Sequence, residues 1–483
     1  MNSTTGSVEY SQLRIEDYLR EDRREAEGSA KVYSGPTMLE KEGDGARVGE
    51  ETHQGGTRES ETGADLLERI LNPKNLNAAY KKVKDNKGSH GVDGMTVEQL
   101  LPYLTEHGEE LRKSILEGTY KPQPVRRVEI PKPDGGVRLL GVPTVIDRVV
   151  QQATAQVLTP IYEEIFSDSS YGFRPGRSAH QAIEQALKYI NDGYTWAVDI
   201  DLEKYFDTVN RDKLMRLVSR DVKDGRVISL IRKFLVSGVM VNGVVIETEE
   251  GFVQGGNISP LLSNIMLHEL DCELEARGLR HVRYADDCNI YVKSEKAAER
   301  IMKSITRFIE ADLKLKVNQK KSKVDRPWKL KFLGFSFYYS SKKQKYSIRV
   351  HEKSILRFKA KLKALTGRSN GMAMGDRLTK LYQAIQGWVN YFALADMKTL
   401  ASNLDQWLRR RIRMVVWKTW KRVRTRFASL QKLGLDRQKA WEYANTRKGY
   451  WRISDSPILH RTLTNKVLEK RGLVSISALY SKR

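Results

Sequence analysis

The stretch His281-Val-Arg-Tyr-Ala-Asp-Asp-Cys-Asn-Ile-Tyr-Val292 decides how the rest of the chain is organised. Apolar and β-favouring residues flank two adjacent acids, the pattern of strand, tight turn and strand. Asp286 and Asp287 then lie at a hairpin tip, near solvent and near each other. Neighbouring carboxylates repel unless a cation sits between them, and oxygen-only ligands favour Mg²⁺. A solvated Asp-Asp turn explains the same residues, because Asp is common in turns. The motif therefore needs support from the remainder of the chain.

A second pair of acids lies upstream. Trp196, Val198, Ile200 and Leu202 alternate with Ala197, Asp199 and Asp201, which predicts a half-buried strand with both carboxylates on its other face. Period two does not say which of Asp199 and Asp201 is the ligand. Upstream again, Val125–Pro143 holds Pro-Asp-Gly-Gly between two short apolar runs, a predicted hairpin with Lys132 and Arg138 on one side. Two cations so placed form either a clamp on a triphosphate or a pair of solvated charges. Glu250–Leu262 is a Gly-rich turn running into an apolar helix, and glycines there let the backbone approach a ligand closely. Helices are also predicted over Asp65–Leu116 (broken by the Gly-rich 87–94), near Asp147–Leu158, after a Ser178 cap, and over Ala297–Leu313; a strand is predicted over Leu330–Phe337.

Charge narrows the partner. The 483 residues carry a formal +24, and the excess is uneven: residues 1–60 are net −5, leaving +29 for the rest. Such a balance implies a polyanion, nucleic acid before a membrane surface, since no long apolar run or lipidation signal is present. Two cysteines, Cys272 and Cys288, exclude a disulfide framework or a Cys-rich zinc module and fit a reducing compartment. Residues 1–62 read as a disordered acidic tail with at most a short helix over Ser11–Arg24, and as neither a signal peptide nor a typical transit peptide. Past Val350 the chain is helical and basic. Residues 401–432 hold ten Lys/Arg against Asp405 alone, with Leu404, Leu408, Ile412 and Val415 at core spacing. The single-sign face is expected to bind RNA, whereas Ile385, Trp388, Tyr391 and Phe392 are expected to be a packing seam.

In order, Ile-Pro-Lys-Pro-Asp-Gly-Gly-Val-Arg (130–138), Ser-Tyr-Gly-Phe-Arg-Pro (170–175), Asp-Leu-Glu-Lys-Tyr-Phe-Asp (201–207), Gln-Gly-Gly-Asn-Ile-Ser-Pro-Leu-Leu (254–262), Tyr-Ala-Asp-Asp (284–287), Asn-Gln-Lys-Lys-Ser (318–322) and Phe-Leu-Gly-Phe (332–335) resemble the motif series of group II intron reverse transcriptase/maturases. Ile-Gln-Gly-Trp-Val-Asn-Tyr-Phe (385–392) resembles that family's maturase thumb. The resemblance covers roughly residues 63–483 and is greatest to the compact bacterial class without a C-terminal His-Asn-His nuclease.

What the resemblance implies is an α+β right-hand polymerase with fingers, an antiparallel-sheet palm, a helical thumb and a small basic C-terminal domain. Its boundaries fall at an N-terminal extension (63–118), fingers (119–185), palm (186–345), thumb (346–432) and DNA-binding segment (433–483). It selects Asp201 over Asp199, five residues before Phe206. Two Mg²⁺ ions (or Mn²⁺) would be held by Asp201, Asp286, Asp287 and the main-chain oxygen of Leu202. Phe206 would exclude a 2′-hydroxyl, Gln254 would contact the nucleotide, Lys132 and Arg138 the triphosphate, and Lys321 the leaving pyrophosphate. Arg174, Arg409, Arg410, Arg413, Lys418 and Lys421 are expected on RNA. Partners would be intron RNA, an RNA template with DNA primer, target DNA and dNTPs, in a bacterial cytoplasm. A relative co-opted for host repair or defence, or a splicing-only maturase, is the alternative. One departure is Val253, where reverse transcriptases usually carry proline; valine restores an N–H and frees φ.

Overall fold

The computed structural model describes residues 65–131, 135–241, 243–246 and 250–483. The acidic tail, its short helix and Lys132 lie outside them. The chain divides into two compact units, one ending at Arg326 and one spanning Pro327–Arg483.

Among the described residues of the first unit, α1 (Leu66–Ile70), α2 (Pro73–Asp85) and α3 (Leu100–Leu116) come first. The predicted hairpin follows as β1 (Val125–Pro131) and β2 (Val137–Val142), antiparallel with Ile130 opposite Arg138. Helix α4 (Val145–Glu163) is longer than its sequence pattern foretold and mostly buried. Ser178 caps α5 (Ala179–Asn191) in a reciprocal box with Gln181. Strand β3 (Trp196–Ile200) leads into the short α6 (Tyr205–Thr208), then α7 (Arg211–Asp221) and α8 (Gly225–Val236). A hairpin the sequence did not announce, β4 (Val239–Val241) and β5 (Val244–Ile246), extends the first sheet in the order β2-β1-β4-β5. After α9 (Ser259–Ala276) come β6 (Arg280–Tyr284), β7 (Asp287–Val292), α10 (Glu295–Ala311) and β8 (Lys323–Asp325).

The central sheet runs β6-β7-β3-β8, every neighbour antiparallel. Its register sets Val198 opposite Ile290 and Ile200 opposite Cys288, all fully buried. On the other face Asp199 stands opposite Asn289 and Lys323. Alternation thus gives the sheet one apolar side, packed in a core with α9 and α10 residues such as Leu270, Ile301 and Ile305, and one polar side carrying the acids.

In the second unit, residues 330–334 do not join the predicted strand. Leu333 and Gly334 are left-handed (φ +48° and +84°), which breaks extension. The strand begins one residue on, as β9 (Phe335–Ser340), paired with β10 (Lys345–Val350) in a separate two-stranded sheet. This hairpin packs with the helices of the same unit. The Phe335 ring meets Tyr391 and Phe392 at 5.5 and 5.0 Å, and the Tyr391 hydroxyl donates to the Leu333 carbonyl at 2.8 Å. Helices α11 (Glu352–Leu365), α12 (Met374–Phe392) and α13 (Lys398–Thr419) are followed by α14 (Val423–Lys432), α15 (Arg437–Ala444), α16 (Tyr450–Ile453), α17 (Pro457–Thr462), α18 (Asn465–Lys470) and α19 (Ile476–Ser481). The expected seam is a packing surface: Trp388 stacks on Phe358 at 4.2 Å and 5°, with Ile385 fully buried.

Candidate active site

The two central strands carry the acids. Tyr284 pairs with Asp287, so Ala285 and Asp286 form a two-residue turn, with Ala285 at φ +55°. A left-handed alanine is unfavourable, and Gly172 and Arg283 hold it directly. The Gly172 backbone lies against it so closely that a Cβ on Gly172 would fall 2.2 Å from the Ala285 nitrogen. Arg283 Nη1 donates to the Ala285 carbonyl and to Asn264 Oδ1, both at 3.0 Å. Asn264 in turn donates to the Gly172 carbonyl at 2.8 Å. Arg283 is fully buried and forms a two-pronged ion pair with the equally buried Asp271, at 2.8 and 2.5 Å. Residues 169–171 run along β6 as an extra edge, with Arg283 N–H donating to the Ser169 carbonyl and Tyr171 N–H to that of Arg283.

Arg283, Asp271 and Asn264 were not singled out from the sequence. The signal was there: Arg283 lies in the core-facing register of β6, opposite Cys288, and a cation at such a position demands a buried partner.

Asp201 follows the end of β3, and the Asn-Gln-Lys-Lys-Ser segment holds it. Asn318 N–H donates to its carbonyl at 2.8 Å, its own N–H donates to Ser322 Oγ at 3.0 Å, and Ser322 Oγ donates back to the carbonyl at 3.2 Å. Lys321 Nζ stands 3.6 Å from the Asp201 carboxylate. Leu202 bridges to Val317.

Asp286 and Asp287 both reach water. Even so, protein crowds Asp286, and the loss of surrounding solvent raises its carboxyl pKa above the usual range. Its own backbone N–H opposes that rise, the Asp201 charge adds to it, and Arg138 and Arg283 oppose it. The charges of Asp201 and Arg138 therefore both bear on Asp286 across a single corner. Asp199 sits deeper, and burial pushes it up to about 6, with Lys323 opposing and Asp201 assisting.

Among the described residues no group of three or more His, Cys, Asp or Glu is gathered closely enough to hold a metal ion unaided. Two mutually repelling carboxylates with water access suit a different arrangement. Mg²⁺ commonly takes one or two protein carboxylates and completes its shell with water and substrate phosphate. The donors available for it are the carboxylates of Asp201 and Asp286, with Asp287 and the Leu202 carbonyl next to them in the chain.

The glycine loop docks beside this corner. The Gly141 N–H on β2 donates to the Gln254 carbonyl at 2.8 Å, and a Cβ on Gly141 would collide with Val253 Cγ1 at 2.0 Å. Val253 thus fills the hollow over Gly141, and its carbonyl accepts from Ser259 Oγ at 2.8 Å. The loop is fastened here without proline. Phe206 is half-buried, edge-on to Tyr205 and Phe252 at 5.2 and 5.3 Å.

The residues expected on RNA divide. Arg174 is buried; its guanidinium is committed to Glu163 and to the carbonyls of Ser167 and Ser170. Arg413 is buried and donates to the Leu463 carbonyl at 3.0 Å. These two knit the interior and do not offer their charge at the surface. Arg409 and Arg410 are part-buried and face Asp405 (3.7 Å) and Asp455 (2.9 Å). Lys418 lies over the Tyr450 ring at 5.1 Å. Lys421, just past α13, is exposed, as are Arg422 and Arg424.

Residues 130–337 match the family described as reverse transcriptase (RNA-dependent DNA polymerase), and residues 355–434 match the group II intron maturase-specific domain. Protein YkfC of Escherichia coli (strain K12) is 38% identical over 299 residues, covering 54% of this chain and 78% of that protein. The chain belongs to the group II intron reverse transcriptase/maturases. The group II intron-encoded protein LtrA of Lactococcus lactis subsp. cremoris is 38% identical over 207 residues, covering 43% of this chain and 34% of LtrA. The putative COX1/OXI3 intron 2 protein of Saccharomyces cerevisiae is 36% identical over 44% of this chain and 24% of its own length. Membership gives the fold, a right-hand polymerase of mixed helix and sheet, and the function, reverse transcription joined to maturase activity. Among the described residues no helix is long and apolar enough to cross a membrane.

Proposed function

We propose that Asp201 and Asp286, assisted by Asp287 and the Leu202 carbonyl, are the polymerising centre of an RNA-directed DNA polymerase that uses Mg²⁺. What supports this reading is that the charges of Asp201, just past β3, and of Arg138 both bear on Asp286 in the β6–β7 turn, with Lys321 3.6 Å from the Asp201 carboxylate. Divalent ions bound there would lower the pKa of the primer 3′-hydroxyl and offset charge at the α-phosphate. The chain's own residues do the rest. Arg138 holds the triphosphate against the acids, and Lys321 neutralises charge on the pyrophosphate side. The Gln254 loop, fixed on β2, sets the position of the incoming nucleotide. The Phe206 ring, braced by Tyr205 and Phe252, lies under the sugar and rejects a 2′-hydroxyl. Lys132 is assigned to the triphosphate by its motif.

Asp286→Ala tests this. Primer extension on an RNA template should fall about 10³-fold or more, the scale of losing a principal electrostatic element, while RNA affinity stays within about twofold because binding rests on remote cations. Collapse of both together would refute the division of labour. Phe206→Ala should admit ribonucleotides; unchanged preference for dNTPs would remove the gate assignment.

A second activity rests on the net +29 of residues 61–483. The exposed cations would bind intron RNA and stabilise its folded form without protein chemistry, with target DNA taken by residues 433–483. A splicing assay with the Asp286→Ala protein separates the roles: splicing should persist without synthesis.

A further inference from the structure

At the opposite end of the β6–β7 hairpin from Asp286 lies a groove of about 420 Å³, lined by Lys188, Tyr189, Asp192, Tyr194, Arg280 and Lys293. Arg280 opens β6 and Lys293 follows β7, so the groove sits roughly 20 Å along the strands from the turn. Three cations face one carboxylate here, and among the described residues none of the three has an acid oxygen within 4.0 Å. Tyrosine rings hold two of them instead: Arg280 lies over Tyr189 at 5.9 Å and Lys293 over Tyr194 at 5.1 Å. The Tyr194 ring is 6.4 Å from that of Tyr189. Lys188, in the last turn of α5, complements that helix's carbonyl end. That accounts for one cation but not for the two supplied by the sheet.

Cations placed over aromatic rings, with Asp192 alone acting on them from a distance and no carboxylate at ion-pair range, are prepared for an anion from solution. The groove is also large enough for a nucleotide unit. Basic side chains interleaved with aromatics are the chemistry of single-stranded nucleic-acid sites: the charges follow the backbone and the rings meet bases. We propose that this groove binds a phosphodiester segment of single-stranded RNA, an anchoring site separate from the polymerising corner and from the basic helices after Val350. It does not depend on the assignment of Asp201 and Asp286.

The test is fluorescence anisotropy of the full chain with a short, unstructured, labelled single-stranded RNA, titrated over a range of salt concentrations. The Lys188→Gln/Lys293→Gln double variant changes exposed side chains only, and an unchanged melting temperature verifies its fold. Its affinity should fall about threefold or more, and the slope of log K against log salt should become shallower by about 1.4, two single-strand phosphate contacts at about 0.7 each. Arg280→Ala should add a further loss, and extension of a saturating primer–template should proceed at the parent rate. An unchanged salt slope overturns the site. Extension slowed as much as binding is weakened would place these residues in the polymerising machinery and overturn its separateness.

Discussion

The Asp286 hairpin and helix α13 both present arginines in stretches that look functional, and their fates differ. In the hairpin, the buried Arg283 is a frame: paired with Asp271, it braces the Ala285–Asp286 turn from beneath. In α13, Arg413 is equally interior, while the adjoining Arg409 and Arg410 keep partial exposure against acids. A strand's period of two makes a misplaced charge conspicuous. A helix studded with arginines on several sides does not reveal which of them the neighbouring chain will cover. Charge by itself therefore identifies a partner class, and packing decides which charges meet that partner.

The largest expected effect lies on the hairpin side. Asp201→Asn keeps the shape of the corner and removes one charge; synthesis on an RNA template should drop about 10³-fold. A loss under tenfold would mean that the corner is not electrostatically organised. Next is Arg283→Met. Breaking a fully buried pair leaves Asp271 with only His281, 3.6 Å away, and denaturant unfolding should show a loss of about 3–5 kcal/mol. A neutral outcome would remove the frame from the account.

Gly172→Ala is subtler. Its Cβ has nowhere to go but into the Ala285 backbone. The turn should shift and lower kcat by about 10- to 100-fold, the cost of roughly 1 Å of misplacement, with RNA affinity retained. On the other side of the comparison, Lys421→Ala with Arg424→Ala should weaken RNA binding and lower its salt slope by about 1.4. Arg413→Ala should instead cost about 1–3 kcal/mol of stability and leave that slope alone. Equal slopes for the two variants would erase the distinction between frame and surface.

The smallest effect is in acid. Burial works to raise the Asp271 pKa, but the charge and hydrogen bonds of Arg283 prevail and hold it below the ordinary value. The unfolded carboxyl titrates near 4, so the pair's contribution is complete above that pH and is lost as pH falls through the lower folded value. Asp271→Asn should flatten the acid limb of stability against pH.

Much of the proposed corner's local structure was legible because its signals are local. Tyr-Ala-Asp-Asp between apolar runs fixes a hairpin whatever surrounds it, and Ser178 with Gln181 fixes a helix start. Gly172 stood inside a recognisable motif and Gly141 just past one, although the reason for each, a backbone or side chain pressed against it, depends on tertiary approach. Less legible was whatever depends on distant partners. The 318–322 segment that grips Asp201 carries no sign in its residues that it lies beside β3. The strand predicted over Leu330–Phe337 forms only from Phe335, because left-handed Leu333 and Gly334 break extension, and the sequence does not show that Phe335 packs on α12. The β4–β5 hairpin was missed because its strands are only three residues each.

Everything at the corner turns on Asp201 and Asp286 sharing divalent ions. Electron paramagnetic resonance titration with Mn²⁺, in the presence of an RNA template, a chain-terminated DNA primer and the next dNTP, tests this most directly. The parent protein should take up two ions, and Asp201→Asn and Asp286→Asn should each lose tight uptake while still binding the primer–template. Variants that bind Mn²⁺ as the parent does, yet do not polymerise, would contradict the shared-metal centre.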